Sequence, residues 1–270
     1  MRPIAEAYKD FPILHKEHNG HRVIYLDSGA TAQIPQSVID RVVEHMTQRN
    51  GNPHRGSHIL AIEASEDYEN ARDRVVEFIN AREREEVIFT RNSTESMNLI
   101  AHSYGLHNVK KGDKIVITVA EHHANLVTWQ YVAEQTGATL EYMYLDEHGH
   151  LKDGEINKID EKTKIVAFAH VSNVLGMEFP VKELTEKAHS VGAIVVLDGA
   201  QSTPHKKIDV QALDCDFFVF SGHKMCASQG IGVLYGKRDL LETMPPFLLG
   251  GDMIEYVKEQ TATFNELPYK

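Results

Sequence analysis

A single lysine stands at the end of a strongly apolar run. The stretch FFVFSGHK places Lys224 directly after Ser221, Gly222 and His223. A lysine amine at the border of a core becomes a nucleophile when burial lowers its pKa, and it can then capture a carbonyl carbon as a Schiff base. The alternative is an ordinary solvated loop lysine, which is the commoner case when such a residue is considered alone.

Polar residues also follow four other apolar runs, and each has an ordinary structural explanation as a helix cap, a turn residue or a packed histidine. EEVIFT is followed by Asn92, Ser93 and Thr94, KIVITV by His122 and His123, KIVAFAH by Asn173, and AIVVL by Asp198 and Gln201. A helix start such as the one expected at Thr94 can bind a phosphate through its free N–H groups. A carboxylate after a buried run, such as Asp198, is costly unless a cationic group faces it.

Taken together, these residues describe one ligand with four features. The features are a phosphate for Thr94, Ser221 and His223, an aromatic ring on which His123 stacks, a basic ring nitrogen for Asp198, and a carbonyl for Lys224. Pyridoxal 5'-phosphate has all four, and its sites combine a lysine with an acidic partner for the pyridine nitrogen. The pattern therefore predicts a pyridoxal phosphate site.

The elements that must position these residues alternate along the chain. β-rich runs are expected at residues 22–27, 86–90, 114–119, 139–145, 164–170, 193–198, 215–220 and 231–235, and amphipathic helices at 58–81, 94–107, 125–137 and 180–191. This alternation predicts an α/β fold with a mostly parallel sheet. Runs such as IVITV and AIVVLD are apolar on both faces, which indicates helices on both sides of the sheet. Ligands bind beyond the carboxyl ends of strands in such sheets, where the polar residues lie.

Composition narrows the class of partner. The 270 residues include 28 Lys and Arg against 39 Asp and Glu, a net charge of −11, which argues against nucleic acid as the main partner. No apolar run approaches the ~20 residues that span a bilayer, and the charged N-terminus lacks a secretory signal, so a cytoplasmic protein without a membrane partner is expected. Its 16 scattered histidines and two cysteines predict no metal site and no disulfide framework.

Seven motifs in order give the chain a family resemblance. It resembles the class-V aminotransferases, and among them the Suf-type cysteine desulfurases, in YLDSGAT (25–31), HRGSH (54–58), TRNSTES (90–96), EHHANLV (121–127), SNVLG (172–176), DGAQS (198–202) and SGHK (221–224). The resemblance covers the whole chain. It implies the large domain of fold type I of the pyridoxal phosphate-dependent transferases (aspartate aminotransferase-like), with a mostly parallel mixed sheet.

The resemblance also implies a role for each matching residue. Lys224 would bond to the cofactor, His123 would stack on its ring and carry a proton, Asp198 would face the pyridine nitrogen, Gln201 would contact the ring hydroxyl, and Thr94, Ser221 and His223 would bind the phosphate. Asn173 would contact the substrate or the ring hydroxyl, and Arg55 would line the mouth of the site. A homodimer is implied as well, because the family builds its site across a subunit interface.

Two departures from the family pattern affect these expectations. Where family members read Gly-Pro-Thr-Gly, this chain reads Ala227-Ser228-Gln229-Gly230, so a differently shaped turn that still permits cofactor binding is expected. The family's sulfur-accepting cysteine and substrate-binding arginine lie beyond the point where this sequence stops. We therefore expect an N-terminal helical arm (residues 1–21) and a cofactor-binding large domain (residues 22–270), without the C-terminal small domain.

The resemblance predicts an enzyme that converts L-cysteine to L-alanine and passes the sulfur, as an enzyme persulfide, to a Suf-type acceptor protein for iron–sulfur cluster assembly. Two alternatives stay open, namely a truncated cofactor-binding remnant without turnover and another class-V member such as a selenocysteine lyase. Cys226, two residues after Lys224, is interpreted as a small core thiol rather than the sulfur acceptor, and Cys215 lies inside a predicted strand.

Overall fold

A computed structural model describes residues 4–270. A mostly parallel β-sheet lies at the core of this fold. The strands are β1 (Glu17–His18), β2 (His21–Arg22), β3 (Val87–Thr90), β4 (Lys114–Thr118), β5 (Thr139–Met143), β6 (Thr163–Ala169), β7 (Ile194–Asp198), β8 (Phe217–Ser221), β9 (Gly232–Gly236), β10 (Ile254–Val257) and β11 (Ala262–Phe264). The main sheet has seven strands in the order β3-β9-β8-β7-β6-β4-β5. Within this sheet, β9 runs in the direction opposite to that of the other six strands. This is the predicted α/β fold with a mostly parallel mixed sheet.

Eight α-helices connect and cover these strands. They are α1 (Gln36–Gln48), α2 (Ile59–Ile79), α3 (Ser93–Ile100), α4 (Leu106–Asn108), α5 (Val127–Thr136), α6 (Val181–Ser190), α7 (Val210–Leu213) and α8 (Arg238–Thr243), within residues 4–270. A π-helical turn over Ala101–Gly105 joins α3 to α4, so the helix predicted over 94–107 is continuous in space. The helices predicted over 58–81, 125–137 and 180–191 are confirmed as α2, α5 and α6.

The sheet is buried on both faces because its strands are apolar at consecutive positions. Along β6, Ile165 and Ala167 pack with one cluster, which includes residues of α3, α5 and α8, whereas Val166 and Phe168 pack with the other, which includes residues of α2 and α6. The sequence pattern therefore predicted the layer arrangement correctly. None of the helices in residues 4–270 is both long and apolar enough to cross a bilayer.

The strand predicted over residues 22–27 is wrong. The described part of the N-terminal region, from residue 4, forms two 3-10 helices, Ile4–Asp10 and Pro12–His15, followed by the β1–β2 hairpin. Residues 23–27 have no strand beside them, and the side chains of Ile24 and Leu26 are exposed, so the β-rich composition finds no partner. Residues 1–3 of the predicted arm lie outside the described residues.

The topology brings the carboxyl ends of six strands, β3 to β8, to one edge of the sheet. β4, β6, β7 and β8 are parallel and end there at Thr118, Ala169, Asp198 and Ser221. Because β9 is antiparallel to both β3 and β8, β3 also ends at this edge. The polar residues that follow these strands are therefore gathered in one region.

Candidate active site

A cavity of about 610 Å³ opens at the carboxyl ends of the strands. Its size suits a small organic ligand. Seven of the nine residues predicted for the site line it, namely Thr94, Asn173, Asp198, Gln201, Ser221, His223 and Lys224. The other two predicted residues, His123 and Arg55, lie elsewhere.

The start of α3 and the end of β8 are joined directly. Asn92 caps the helix by accepting a hydrogen bond from the backbone N–H of Glu95 at 2.9 Å. The backbone N–H of Ser93 donates to the Ser221 hydroxyl at 2.8 Å, and the two serine hydroxyls lie 2.8 Å apart. The N-terminus of α3, with Thr94 in its first turn, is thereby fixed against the cavity, where its N–H groups and dipole favour an anion.

Glycine at position 232 permits this arrangement. A Cβ atom added to Gly232 would lie 2.5 Å from the Cα atom of Asn92, a separation that real Cβ atoms essentially never show. The first residue of β9 must therefore lack a side chain for the helix start to lie so close to the sheet.

Asp198 is a buried residue that lines the cavity. It is only 6% exposed, and its Oδ1 atom accepts a hydrogen bond from the backbone N–H of Ala200 at 2.9 Å. Burial raises the pKa of Asp198, while this hydrogen bond and the positive charges of Lys224 and His122 lower it. A carboxylate at this position is suited to a cationic ligand atom.

Lys224 occupies a 3-10 turn, Gly222–Lys224, that follows β8. Burial lowers the pKa of Lys224, and the charge of Asp198 opposes that shift. A lowered pKa is the direction that a nucleophilic amine requires, because only the neutral form attacks a carbonyl. His223 beside it has its own pKa lowered by burial and by the charge of Lys224.

A segment near the N-terminus, residues 27–32, packs against the site. Gln201 donates a hydrogen bond from Nε2 to the carbonyl oxygen of Gly29 at 2.8 Å. Thr31 donates from Oγ1 to the His223 carbonyl oxygen at 3.1 Å, and the backbone N–H of Ala32 donates to that oxygen at 2.8 Å. Gly29 and Ala30 line the cavity, as do Arg91 and Gln229. The YLDSGAT motif contributes to the family resemblance, but none of its residues was predicted to lie at the site.

The histidine that lines the cavity is His122, whereas the sequence prediction named His123. The 3-10 helix His123–Asn125 begins directly after His122, whose Nδ1 atom accepts a hydrogen bond from the backbone N–H of Ala124 at 3.1 Å. His122 lines both the cavity and a second hollow beside Val127, whereas His123 lines only that second hollow. Partial burial lowers the pKa of His122, against the opposite effect of Asp198.

Arg55 also departs from its predicted place, since it does not line the cavity. Its guanidinium Nε lies 3.7 Å from Oδ1 of Asp252, and its side chain is exposed. The guanidinium also occupies the space where a Cβ of Gly251 would lie. The ion pair holds Arg55 to the loop before β10 rather than to the cavity mouth.

The loop after Lys224 contains the departure from the family pattern. Gly230, with a left-handed φ of 90°, and Gln229 line the cavity, so this turn shapes the site. Burial raises the pKa of the Cys226 thiol in the same loop, and of the Cys215 thiol at the opposite end of β8. Neither thiol has the lowered pKa of a reactive cysteine.

The electrostatics of the cavity are opposite to those of the chain as a whole. Asp198 is the only acidic residue among those that line it, while Arg91, Lys224, His122 and His223 contribute the basic groups. The acidic chain, with a net charge of −11, thus presents locally basic groups at its candidate site. An anionic ligand with one cationic atom fits this distribution.

Comparisons with known proteins agree with this geometry. A family profile described as "Aminotransferase class-V" matches residues 24–270. A probable cysteine desulfurase of Halalkalibacterium halodurans is 53% identical over 266 residues, which cover 98% of this chain and 66% of that protein. A cysteine desulfurase of Haloferax volcanii is 49% identical over 276 residues, covering 97% of this chain and 65% of that protein. The chain thus spans just under two thirds of the length of these curated relatives.

Solved structures show the same fold. The apo structure of a cysteine desulfurase from Thermococcus onnurineus superposes with a TM-score of 0.93 at 40% identity, covering 100% of this chain and 66% of that chain. A cysteine desulfurase from Escherichia coli superposes with a TM-score of 0.89 at 38% identity, with the same coverage.

Proposed function

The chain belongs to the class-V aminotransferase family, and from that premise we propose that it is the cofactor-binding part of a pyridoxal phosphate-dependent cysteine desulfurase. The observation that carries the proposal is the placement of Lys224 and Asp198 in one cavity beside the start of α3. The amine of Lys224 would bond to the carbonyl of this cofactor, the carboxylate of Asp198 would pair with its ring nitrogen, and the N-terminus of α3 would bind its phosphate. The similarity to named cysteine desulfurases supports the choice of reaction.

The donor set of the cavity fits the cofactor. Thr94, Ser221 and His223 would hold the phosphate at the start of α3, Asp198 would face the pyridine nitrogen, and Gln201 and Asn173 would contact the ring hydroxyl or the substrate. When bound, pyridoxal phosphate supplies an aldehyde carbon for covalent attachment and a ring that withdraws electrons from the substrate.

Two side chains of the protein, Lys224 and His122, would transfer protons during the reaction. The neutral Nζ of Lys224 would be the base that receives a proton from the substrate, and the burial that lowers the pKa of Lys224 favours that neutral form. Because Nδ1 of His122 accepts the Ala124 N–H, the neutral ring carries its proton on Nε2, and this atom is the second proton carrier. We assign to His122 the role predicted for His123.

The substrate would be L-cysteine, and the products would be L-alanine and a persulfide sulfur for an acceptor protein in iron–sulfur cluster assembly. The sulfur would be taken up by neither Cys215 nor Cys226, because burial raises the pKa of both thiols. A specificity for selenocysteine is the competing assignment within the family. Cytoplasmic location and a Suf-type acceptor remain predictions.

A homodimer is part of the proposal. The β10–β11 hairpin projects with every residue of both strands exposed, including Ile254, Tyr256, Val257 and Phe264. An isolated two-stranded hairpin is marginal in water, and an apolar one gains stability when a second surface covers it. A second copy of the chain is the proposed cover, and multi-angle light scattering at several concentrations tests it.

Product analysis tests the reaction assignment. The purified protein is incubated with pyridoxal phosphate, either L-cysteine or L-selenocysteine, and dithiothreitol as the thiol that accepts the released sulfur or selenium, and L-alanine is quantified. The proposal expects L-alanine from L-cysteine, with no product in Lys224→Ala. Alanine formation from L-selenocysteine alone would favour the lyase assignment, and cofactor binding without alanine from either substrate would favour a unit that binds but does not turn over.

A further inference from the structure

A buried chain of hydrogen bonds lies directly behind His122. The indole Nε1 of Trp129 donates to Oδ1 of Asn125 at 2.8 Å, and Nδ2 of Asn125 donates to Oε2 of Glu121 at 2.6 Å. The other carboxyl oxygen of Glu121 shares a hydrogen bond with the Thr118 hydroxyl. All four side chains are buried, with Glu121 at 8% exposure and the other three below that.

The direction of these bonds follows from the chemistry of their ends. An indole N–H can only donate, so the amide oxygen of Asn125 faces Trp129 and its NH₂ group faces Glu121. Oε2 of Glu121 is therefore an acceptor. The Thr118 hydroxyl accepts the backbone N–H of Ala120 at 3.2 Å and donates its own proton to Oε1 of Glu121. Both carboxyl oxygens of Glu121 thus accept a buried hydrogen bond.

The charged groups near Glu121 favour a negative charge on Asp198 rather than on Glu121. No ion pair within residues 4–270 includes Glu121. The groups that face this region are Asp198 from β7, His122 from the same turn, Lys224 from the loop after β8, and only backbone from β6 at Ala169. Lys224 and His122 favour the charged form of Asp198, whereas Asp198 itself disfavours charge on Glu121. Burial raises the pKa of Glu121 to about 8, with Asp198 acting in the same direction and the hydrogen bonds from Thr118, Asn125 and the backbone of Ala169 opposing the shift.

We propose that Glu121 is a positioning residue: a buried carboxyl group whose hydrogen bonds to Thr118 and Asn125 fix the turn that carries His122. The inference about His122 rests on the proposed function, which assigns that residue its role. Glu121 itself does not line the cavity. It acts through the chain to Asn125 and Trp129, which ties the turn to the buried face of α5.

Three variants separate the contributions of shape and charge. Glu121→Gln keeps both hydrogen bonds, since its carbonyl oxygen can accept from Asn125 and its NH₂ can donate to Thr118. Glu121→Leu removes both bonds at similar size, and Thr118→Val removes one of them with little change in shape. Glu134→Gln on the exposed face of α5 is the matched control.

The first readout uses the cofactor-free chain with ¹⁵N-labelled histidine. Long-range ¹⁵N NMR reports which ring nitrogen of His122 carries the proton, and the signals are assigned by their loss in His122→Asn. Glu121→Gln and Glu134→Gln should keep the Nε2–H form, Thr118→Val should weaken it, and Glu121→Leu should give an averaged tautomer. Unchanged His122 shifts in both Thr118→Val and Glu121→Leu would overturn the positioning role.

The second readout is urea unfolding of wild type and Glu121→Gln between pH 4 and pH 9. With a pKa raised from its unfolded value near ~4.3 to about 8, the folded wild type retains a proton that the unfolded chain releases. Its stability relative to Glu121→Gln should therefore fall as pH rises through that window and level off above it. Parallel curves for the two proteins would show that folding does not change the titration of Glu121, and would contradict its place in a buried chain of hydrogen bonds.

Both readouts are made without cofactor, so they are independent of whether pyridoxal phosphate binds. If the cofactor binds, Glu121→Leu should weaken its affinity by roughly tenfold, as for the loss of a supporting buried hydrogen bond. Glu121→Gln should stay near wild type in the same titration. Cofactor binding with wild-type affinity in Glu121→Leu would likewise count against the positioning role.

Discussion

The hydroxyl of Ser221 accepts a hydrogen bond from the backbone N–H of Ser93 at 2.8 Å, although 128 residues separate the two in sequence. This contact fixes the first turn of α3 against the end of β8. Lys224 follows that strand end by three residues. The same bond therefore sets the position of the candidate phosphate-binding helix relative to the candidate nucleophile.

Replacing Ser221 with alanine should reduce both stability and cofactor affinity. The N–H and hydroxyl of Ser93 would lose a buried partner, which costs about 1–3 kcal/mol in the free energy of unfolding. Urea unfolding measures the loss, and the exposed Ser228→Ala is the control. Because the site would lose a phosphate-binding group, pyridoxal phosphate should be weakened more than pyridoxal, which lacks the phosphate. Equal weakening of both ligands would contradict the phosphate assignment.

The two adjacent histidines should behave differently. If Nε2 of His122 carries a proton in the reaction, His122→Ala should lower the rate of L-alanine formation by about a hundredfold or more, the usual contribution of general acid–base catalysis. His123→Ala should remain near wild type, because His123, unlike His122, is not among the residues that line the cavity. A larger loss in His123→Ala than in His122→Ala would restore the prediction made from the sequence.

Lys224→Met should stabilise the cofactor-free chain at pH 7. A lysine whose pKa is lowered by burial contributes stability that is present above its unfolded pKa of about 10.5 and is lost as pH falls through its folded pKa. The advantage of the methionine variant should therefore shrink as pH rises from 7 toward 10. Thermal unfolding of both proteins across that range measures the difference. A variant that is less stable than wild type at every pH would contradict the buried-amine account.

Asp216 offers a test of stability away from the site. It lies at the opposite end of β8, where it accepts from the backbone N–H of Val195 at 2.7 Å and pairs with His189 at 2.8 Å and Lys237 at 2.9 Å. Asp216→Ala should lower the free energy of unfolding by about 2–3 kcal/mol, because it leaves the buried N–H of Val195 without a partner and removes the contacts with His189 and Lys237.

The neighbouring Asp214→Ala is the control for that measurement, since an exposed ion pair contributes about 0–1 kcal/mol. Cofactor affinity should stay unchanged in both aspartate variants. A selective loss of cofactor affinity in Asp216→Ala would show that this network reaches the cavity.

Most of the sheet could be predicted because its strands carry their own signal. β6 and β7 are apolar at consecutive positions; β7 ends in Asp198 and β6 is followed by His170, so the pattern locates both the buried core and the edge where ligands bind. The stretch 22–27 carried a similar local signal but failed, because strand formation depends on a neighbour that composition does not reveal.

The site could be predicted as a set of residues but not in its details. Seven predicted residues line one cavity because each follows a strand that ends at the same edge. The choice between His122 and His123 depended on the backbone of a short 3-10 turn, and adjacent histidines look alike in sequence. The contacts of Gly29 and Thr31 with the site join residues about 170 to 190 positions apart, and only the folded chain shows them.

The central claim is that Lys224 is the residue that captures pyridoxal phosphate, and an absorbance titration of the purified chain tests it most directly. Wild type should develop a saturable visible band with one equivalent of cofactor, and L-cysteine should then change that band. Lys224→Ala should lack the band while keeping a wild-type circular dichroism spectrum. The same band in Lys224→Ala, or no saturable band in a folded wild-type chain, would contradict the account.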